Sequence, residues 1–479
     1  MHQMAASTNA LDERKLVPPV GNASACLARS RWGERWHAFR YPIDPEKQTL
    51  LRARWESLPN ELRTPHQLAG RHLTHCGFIT GASFCSFRCT HCYLPKNANQ
   101  IPLPSLAEMK EVIEANRRFQ GPGGGLQITG GDVADAYWRA GRQEELVEIV
   151  RHTNHVGLVP MVMTHGQTLL EHPEFLEALV VEGGLRQVAV HIDTTQAGRH
   201  GFALNRLTSE NDLHPVREAF TRLAVDLRRR TGLPLELAHN CTVTERNIDS
   251  IARIVRWFLA DPQRSRIWRI LSFQPEADTG RTIFSRHPVT PALAWEKICE
   301  GIGARLDNHA FLGGHPDCGQ GTILLIDQRS GQHWPALPND EKTRTLFGEI
   351  LATLGAVSTI TTDALLPYRV AGAFARYPGL AVRVAWRGLA LARKGRLPGA
   401  LLFSLLRGQA HTLSIGTHNF MHAAQVANAP NDTVTKARLE ACVFKGAVRN
   451  RTSGEWEAVP MCAMNQSRWS QLYTERMAG

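Results

Sequence analysis

Three cysteines fall within eight residues of "ASFCSFRCTHCYLP" (82–95): Cys85, Cys89 and Cys92, spaced C-x3-C-x2-C. A loop that short can turn three thiolates toward one metal centre, but an odd number cannot all pair as disulfides. Two centres fit. Zinc would take a fourth ligand, which His75, Cys76 or His91 could supply. A [4Fe–4S] cube offers four irons, so three thiolates leave one iron without a protein ligand. That vacancy is useful only where a substrate or cofactor binds to it. A second stretch, "ITGGDV" (128–133), sets Thr129, Gly130, Gly131 and Asp132 in a row. Glycines let the backbone approach a ligand closely, and a carboxylate suits an ammonium group. Alone, such a tripeptide is an ordinary turn.

The elements that must position these residues are legible as a repeating pattern between 78 and 306. Short apolar runs end in Gly, Asp, Asn, Pro or Cys: "FITGASF" (78–84), "LQITGGD" (126–132), "VPMVMTHG" (159–166), "RQVAVHID" (186–193), "LELAHNCTV" (235–243) and "IWRILSFQP" (267–275). Such runs predict buried parallel strands. Helical patterns near 105–119, 143–157, 172–184, 214–231, 247–260 and 291–306 alternate with them, and Ser105 and Asn247 are expected as N-caps. Six β-α units in a row predict an α/β fold, a partial (β/α)6 TIM-like barrel with helices outside. Sites in such folds lie at the C-terminal ends of the strands. Cys85, Asp132, Thr164 and Asp193 all fall at those ends.

The chain divides into an N-terminal extension (1–70) with one helix near 45–58, a core barrel (71–310), and a C-terminal region (311–479) where the alternation stops, expected to be α-rich. A length of 479 residues, 43% apolar and 21% charged, is that of a globular protein. The N-terminus has no basic start followed by an apolar run, and no stretch approaches the roughly 20 apolar residues of a membrane span. Ten cysteines in a chain this long are no secreted disulfide framework, so a cytoplasmic protein with reduced thiols is expected. The formal charge of +11 points to anionic partners without choosing among them.

The cysteine spacing at the end of the first strand of a six-fold β-α array resembles the radical S-adenosylmethionine (radical SAM) superfamily. That resemblance implies a [4Fe–4S] cluster on Cys85, Cys89 and Cys92 whose open iron chelates S-adenosylmethionine. It implies an enzyme, an oxidoreductase or transferase, that forms a 5′-deoxyadenosyl radical and abstracts hydrogen from a substrate. An electron donor such as flavodoxin or ferredoxin is implied as a partner. Thr129, Gly130, Gly131 and Asp132 match the family's Gly-Gly-Glu-like turn, which holds the methionine ammonium. Asp193, with His191, is placed to meet the ribose hydroxyls, as family members often do. Asn240, Thr242, Gln274, Thr164 and His165 end neighbouring strands, where satisfying backbone groups is an equal role for them. His91 stands where the family usually has an aromatic residue.

Seven further cysteines remain. Cys26, Cys241 and Cys299 read as small buried apolar residues. Cys318 in "GGHPDCGQG", Cys442 in "LEACVFKGAV" and Cys462 in "VPMCAMNQ" are similar to the C-terminal part of the tetraether lipid synthase branch. That likeness implies a second iron–sulfur cluster on these three, with Cys76 or His315 as a fourth ligand. Residues 364–408 hold eight Arg or Lys and no Asp or Glu, with Leu380, Val384, Trp386 and Leu391 between Arg376, Arg383, Arg387 and Lys394. Pro378 and Pro398 should break the stretch into short helices. It reads as a helical subdomain with a solvated basic face, as an interfacial segment with its arginines on lipid phosphates at the inner membrane face, or, less well, as a groove for nucleic acid. The favoured substrate is a lipid or other hydrophobic chain. An RNA or peptide substrate, and a zinc-stabilised binding protein without turnover, are the alternatives.

Overall fold

The computed structural model describes residues 32–464 apart from 201–208, 283–284, 286, 308, 358–364, 395–403, 405–406 and 451. Cys26, Pro398 and the corresponding parts of 364–408 lie outside the described residues. The six apolar runs form β1 (Cys76–Ala82), β2 (Gly125–Gly130), β3 (Val159–Thr164), β4 (Gln187–His191), β5 (Glu236–Val243) and β6 (Trp268–Pro275). They pair side by side in chain order, all parallel. Helices follow the expected spacing. Leu106–Gln120 begins at Ser105 in a reciprocal capping box with Glu108, and its Met109 and Ile113 are buried. A short helix not expected from periodicity, Val133–Arg139, starts directly after the glycine turn with Asp132 as its N-cap.

Asn247 does not cap a helix as expected. Its Oδ1 accepts from Thr244 N (2.8 Å), and its Nδ2 donates to Glu210 Oε1 (3.0 Å) and Thr242 O (2.9 Å). The side chain is drawn back to buried acceptors behind it. A 3-10 turn (Ile248–Ser250) intervenes, and the α-helix starts at Ile251.

The C-terminal region contributes helices Glu341–Leu354, Leu366–Arg376, Pro378–Arg393 and Thr433–Ala441, and it also extends the sheet at both edges. Strands β7 (Gly319–Asp327), β8 (His333–Pro335) and β9 (Ala410–His418) join beyond β6. Strands β10 (Phe444–Arg449) and β11 (Trp456–Pro460) join beyond β1, giving the order β11-β10-β1-β2-β3-β4-β5-β6-β9-β7-β8. These strands escape a search for continuous apolar runs because they carry a different pattern. In β9 burial alternates strictly, with Leu413 and Ile415 inside and polar neighbours between, which is the signature of a strand with one wetter face.

The sheet curls until its flanks meet without pairing. The His418 ring at the end of β9 packs edge-on against Phe444 at the start of β10, centroids 4.9 Å apart. Arg438 donates to Asn419 O (2.9 Å), and Asn419 N donates to Cys318 O (3.0 Å), tying the segment before β10 to the ends of β9 and β7. The result is a partial barrel with a side-chain seam. No helix among the described residues is long and apolar enough to cross a membrane.

On the β6 flank, buried His411 meets Ser265 Oγ through Nε2 (3.0 Å). Burial, then repulsion from Arg269 and Arg266, lowers its pKa to about 4. The unfolded chain protonates this ring near 6.5 while the folded chain keeps it neutral. Its contribution to stability is therefore complete above about pH 6.5 and is lost as pH falls toward the folded value. The urea midpoint should drop across that window, and the His411→Gln variant should show a flatter profile.

Candidate active site

The cysteine loop leaves β1 and is pinned on all sides. Asn99 brackets Cys85, accepting from its N–H (3.1 Å) and donating to its carbonyl (3.0 Å). Arg88 N donates to Ala197 O and Thr90 N to Thr195 O, while Arg281 N donates to Cys92 O and Leu94 O. Cys85, Cys89 and Cys92 all line one chamber of about 550 Å³. Burial pushes the Cys85 and Cys89 thiols well up; Asp132 adds to the first, and the neighbouring thiols raise both. Arg281 partly offsets this for each.

The glycine turn is a close backbone contact. Gly131 N donates to Ala82 O (2.7 Å) and Asp132 N to Phe84 O (2.8 Å), zipping the ends of β1 and β2 together. A β-carbon on Gly130 would lie 2.1 Å from Ala82 O, and one on Gly131 would lie 2.1 Å from Phe84 O. Gly130 also has φ +122°, a conformation that favours glycine. The Tyr93 hydroxyl, one residue past Cys92, donates to Gly130 O, so loop and turn are joined directly. Thr129 lines the same wall.

The two acids have internal partners. Asp132 is 2% exposed; its carboxylate accepts from Asp135 N (2.8 Å), Thr164 Oγ1 (2.7 Å) and His165 N (2.5 Å). It anchors β3 to the glycine turn while facing the chamber. Asp193 is fully buried and accepts from Thr195 N (2.8 Å), Thr242 N (2.7 Å) and His191 Nε2 (2.5 Å). Burial opposes its charge, but His191 and these hydrogen bonds outweigh burial and hold its pKa low. It therefore fixes His191, which lines the chamber, between β4 and β5. Asn240, Thr242, Gln274, Thr164 and His165 also line the wall.

His91, the departure from the family pattern, has both nitrogens engaged: Nδ1 with Thr90 Oγ1 (2.8 Å) and Nε2 with Glu276 Oε2 (2.8 Å). Cys76 and His75 sit at the opposite end of β1 from Cys85. A seven-residue strand separates them by roughly 20 Å, so neither can share an ion with that loop. No three His, Cys, Asp or Glu side chains among the described residues are grouped to hold a single ion. Donors to one zinc all sit about 2.3 Å from it. Thiolates on three different irons of a cube need no such convergence. The loop thus fits a cluster better than a lone zinc.

Residues missed from sequence are those whose role depends on distant partners. Tyr93 and Glu276 line the chamber, and Arg281 braces the cysteine loop. Buried Arg199 lies over the Phe87 ring (5.2 Å) and donates to His165 O (3.0 Å). Burial first, against the attraction of Asp193 and Cys89, brings its pKa to about 10. None of the four sits in a local pattern that spacing could flag.

The three C-terminal cysteines do come together at the seam. Cys318 precedes β7, Cys442 precedes β10 and Cys462 follows β11. Burial raises all three thiols, Cys462 to about 12, and the Cys442 and Cys462 thiols are raised further by their neighbours in the trio. Arg438 donates to the Cys318 sulfur, and Lys445 lowers the Cys442 pKa. The Cys76 sulfur takes an N–H from Gln127 (3.7 Å) and lines the main chamber, and His315 Nδ1 accepts from Asp317 N (3.2 Å).

Because Gly131 has no room for a side chain, Gly131→Ala must part the ends of β1 and β2. A loss of about 2 kcal/mol is expected in chemical denaturation. Gly388→Ala, in a helix interior with open space around it, should be neutral or stabilising by about 0.5 kcal/mol.

Residues 79–257 match the family model described as the Radical SAM superfamily. No curated protein matches the sequence. Among solved structures, a hexahistidine-tagged anSMEcpe with bound AdoMet (S-adenosylmethionine) aligns at 15% identity and TM-score 0.30, covering 46% of this chain and 56% of that one. Native anSMEcpe with bound AdoMet aligns at 15% identity and TM-score 0.30, covering 46% and 57%. The chain spans little more than half the length of those structures. The cysteine loop and the glycine turn both lie within the stretch 79–257 that matches the Radical SAM superfamily model, at the mouth of its β-α core.

Proposed function

We propose that the protein is a radical SAM enzyme acting on a lipid or other hydrophobic chain. A [4Fe–4S] cluster held by Cys85, Cys89 and Cys92 would supply the electron that splits AdoMet into methionine and a 5′-deoxyadenosyl radical, the hydrogen-abstracting species. The chain's own residues do the rest. Thr129, Gly130, Gly131 and Asp132 form the wall beside the cysteines, and His191, held by Asp193, faces the same space. Glu276 Oε1 is buried beside the chamber without a hydrogen-bond partner, as expected of a group awaiting a donor on a bound molecule.

The observation that carries the substrate class is the chamber's depth and lining. It reaches from the cysteine loop to Cys76 and Gly125 at the N-terminal ends of β1 and β2, along the whole strand length. Past the polar mouth its walls include Met161, Met163, Ala189, Ile270, Phe420 and Phe444, with Gln127, Gln187 and Ser272 among them. Such walls favour an extended apolar chain over a charged polymer. At the far end His75 Nε2 is buried with no partner, and burial followed by repulsion from Lys445 and Arg54 lowers its pKa to about 3. It stays neutral at physiological pH and suits a hydroxyl or carbonyl on such a chain.

A second iron–sulfur cluster on Cys318, Cys442 and Cys462 belongs to the same proposal. Three buried thiols that repel one another as thiolates are stabilised together by a metal centre. An external electron donor such as flavodoxin or ferredoxin is part of the reading.

Anaerobically reconstituted protein given reductant and AdoMet should form 5′-deoxyadenosine, and lipid extract should raise the rate. The Cys85→Ala/Cys89→Ala/Cys92→Ala variant should fall to background. A colourless protein that contains zinc and no iron would sink the proposal. That triple variant should still retain about four irons per chain, lost only when Cys318, Cys442 and Cys462 are also replaced. An iron-free triple variant would remove the second cluster.

A further inference from the structure

Eight of the eleven large hydrophobic side chains exposed among the described residues lie within two short stretches, 32–41 and 370–389. The helix Pro378–Arg393 is apolar on both sides. Leu380 and Leu391 are buried against the protein, while Val382, Trp386 and Leu389, spaced four and three apart, form one outward stripe. Trp386 is 63% exposed. The outer stripe, opposite the buried one, is an exposed apolar face that calls for a second partner. Trp32 and Trp36, on the helix Trp32–Arg40, are 75% and 53% exposed. That helix is seated on Leu366–Arg376: a β-carbon on Gly372 would lie 1.9 Å from Phe39 O, and Arg376 donates to Arg40 O.

The charge around these side chains is mostly basic, with Glu34 the one acid on the helices Trp32–Arg40, Leu366–Arg376 and Pro378–Arg393. Between 365 and 394 there are six Arg or Lys and no Asp or Glu. Arg383, still exposed, pairs with Glu349, and the more covered Arg387 pairs with Asp340. Arg393 and Lys394, with Arg40 and Arg376, stand exposed around the apolar stripe. Exposed tryptophans bordered by basic residues match the boundary between acyl chains and anionic headgroups. We infer that the helices Trp32–Arg40, Leu366–Arg376 and Pro378–Arg393 form a docking surface for an anionic phospholipid bilayer.

This surface is joined to the chamber through one loop. The helix Glu341–Leu354 holds Pro378–Arg393 by the two ion pairs, and a β-carbon on its Gly348 would lie 2.6 Å from Pro65 O. Gly355 packs still more closely on Arg71 O, where a β-carbon would lie 1.6 Å away. Two residues further on, Leu73 lines the far end of the chamber, followed by His75. Docking there sets the bilayer beside the N-terminal mouth of the barrel, on the side opposite the cysteine loop. The inference stands without the chemistry of the chamber, since vesicle binding is read independently of AdoMet cleavage.

The full-length protein should float with vesicles of about 30 mol% phosphatidylglycerol in phosphatidylcholine, and much less with phosphatidylcholine alone or at high salt. Its tryptophan emission should shift to the blue and be quenched by brominated acyl chains. Val382→Ser/Trp386→Ser should lower partitioning at least about tenfold with an unchanged melting curve, and Trp32→Ser/Trp36→Ser should add to the loss. Absence of flotation at physiological ionic strength, or variants that float like the wild type, overturns the inference. So does a vesicle-independent dimer that Trp386→Ser dissolves, which assigns the stripe to a second copy. Salt-sensitive RNA binding without flotation would assign it to nucleic acid.

Discussion

Two missing β-carbons hold the site together. Gly130 and Gly131 bring the end of β2 under the carbonyls of Ala82 and Phe84, and no other residue type permits that approach. The contact fixes where the cysteine loop leaves β1, where Asp132 points, and where Tyr93 finds an acceptor. Asp132 then carries the constraint outward, since its one carboxylate caps Val133–Arg139 and binds Thr164 and His165. Through these links the ends of three strands are a single hydrogen-bonded unit. The loop's conformation is thereby set before any cluster binds, with thiols whose burial disfavours their ionised forms until a metal supplies opposing charge.

Much of this was legible in the sequence, for a physical reason. Parallel strands covered on both faces must be apolar throughout, so β1 to β6 appear as runs, and their helices as 3.6-residue periods between them. The cysteine loop and the glycine turn are local: their function resides in spacing, which a sequence displays directly. Polar groups that act through distant partners are not legible in that way. Nothing near Asp193 announces that Thr242, 49 positions later, will donate to it, or that Glu276 will meet His91. The roles expected for the two acids illustrate the difference. Their positions at strand ends hold, while their carboxylates bind the protein's own N–H and O–H groups.

The C-terminal region was harder to read because its strands obey the other periodicity. β9 alternates buried and partly buried residues, and β10 and β11 are short. A pattern tuned to continuous apolar runs passes over them, leaving the helices as the visible feature. Cys318, Cys442 and Cys462 could be singled out individually, but only the curl of the sheet shows that elements on its two opposite flanks meet.

That curl has a consequence for how the molecule is made. In the finished sheet β1 is an interior strand, paired with β2 on one side and β10 on the other. Its second partner begins at Phe444, 368 positions after the Cys76 it faces. During synthesis nearly the whole core emerges while β1 still offers an open edge, the condition that invites wrong pairing with other chains. Only two residue pairs, Cys76 with Phe444 and Gly77 with Lys445, make up the late contact. This edge of β1 is therefore covered last, by a narrow stretch of backbone. The order of closure is thus set by the chain itself, with β10 acting as the latch.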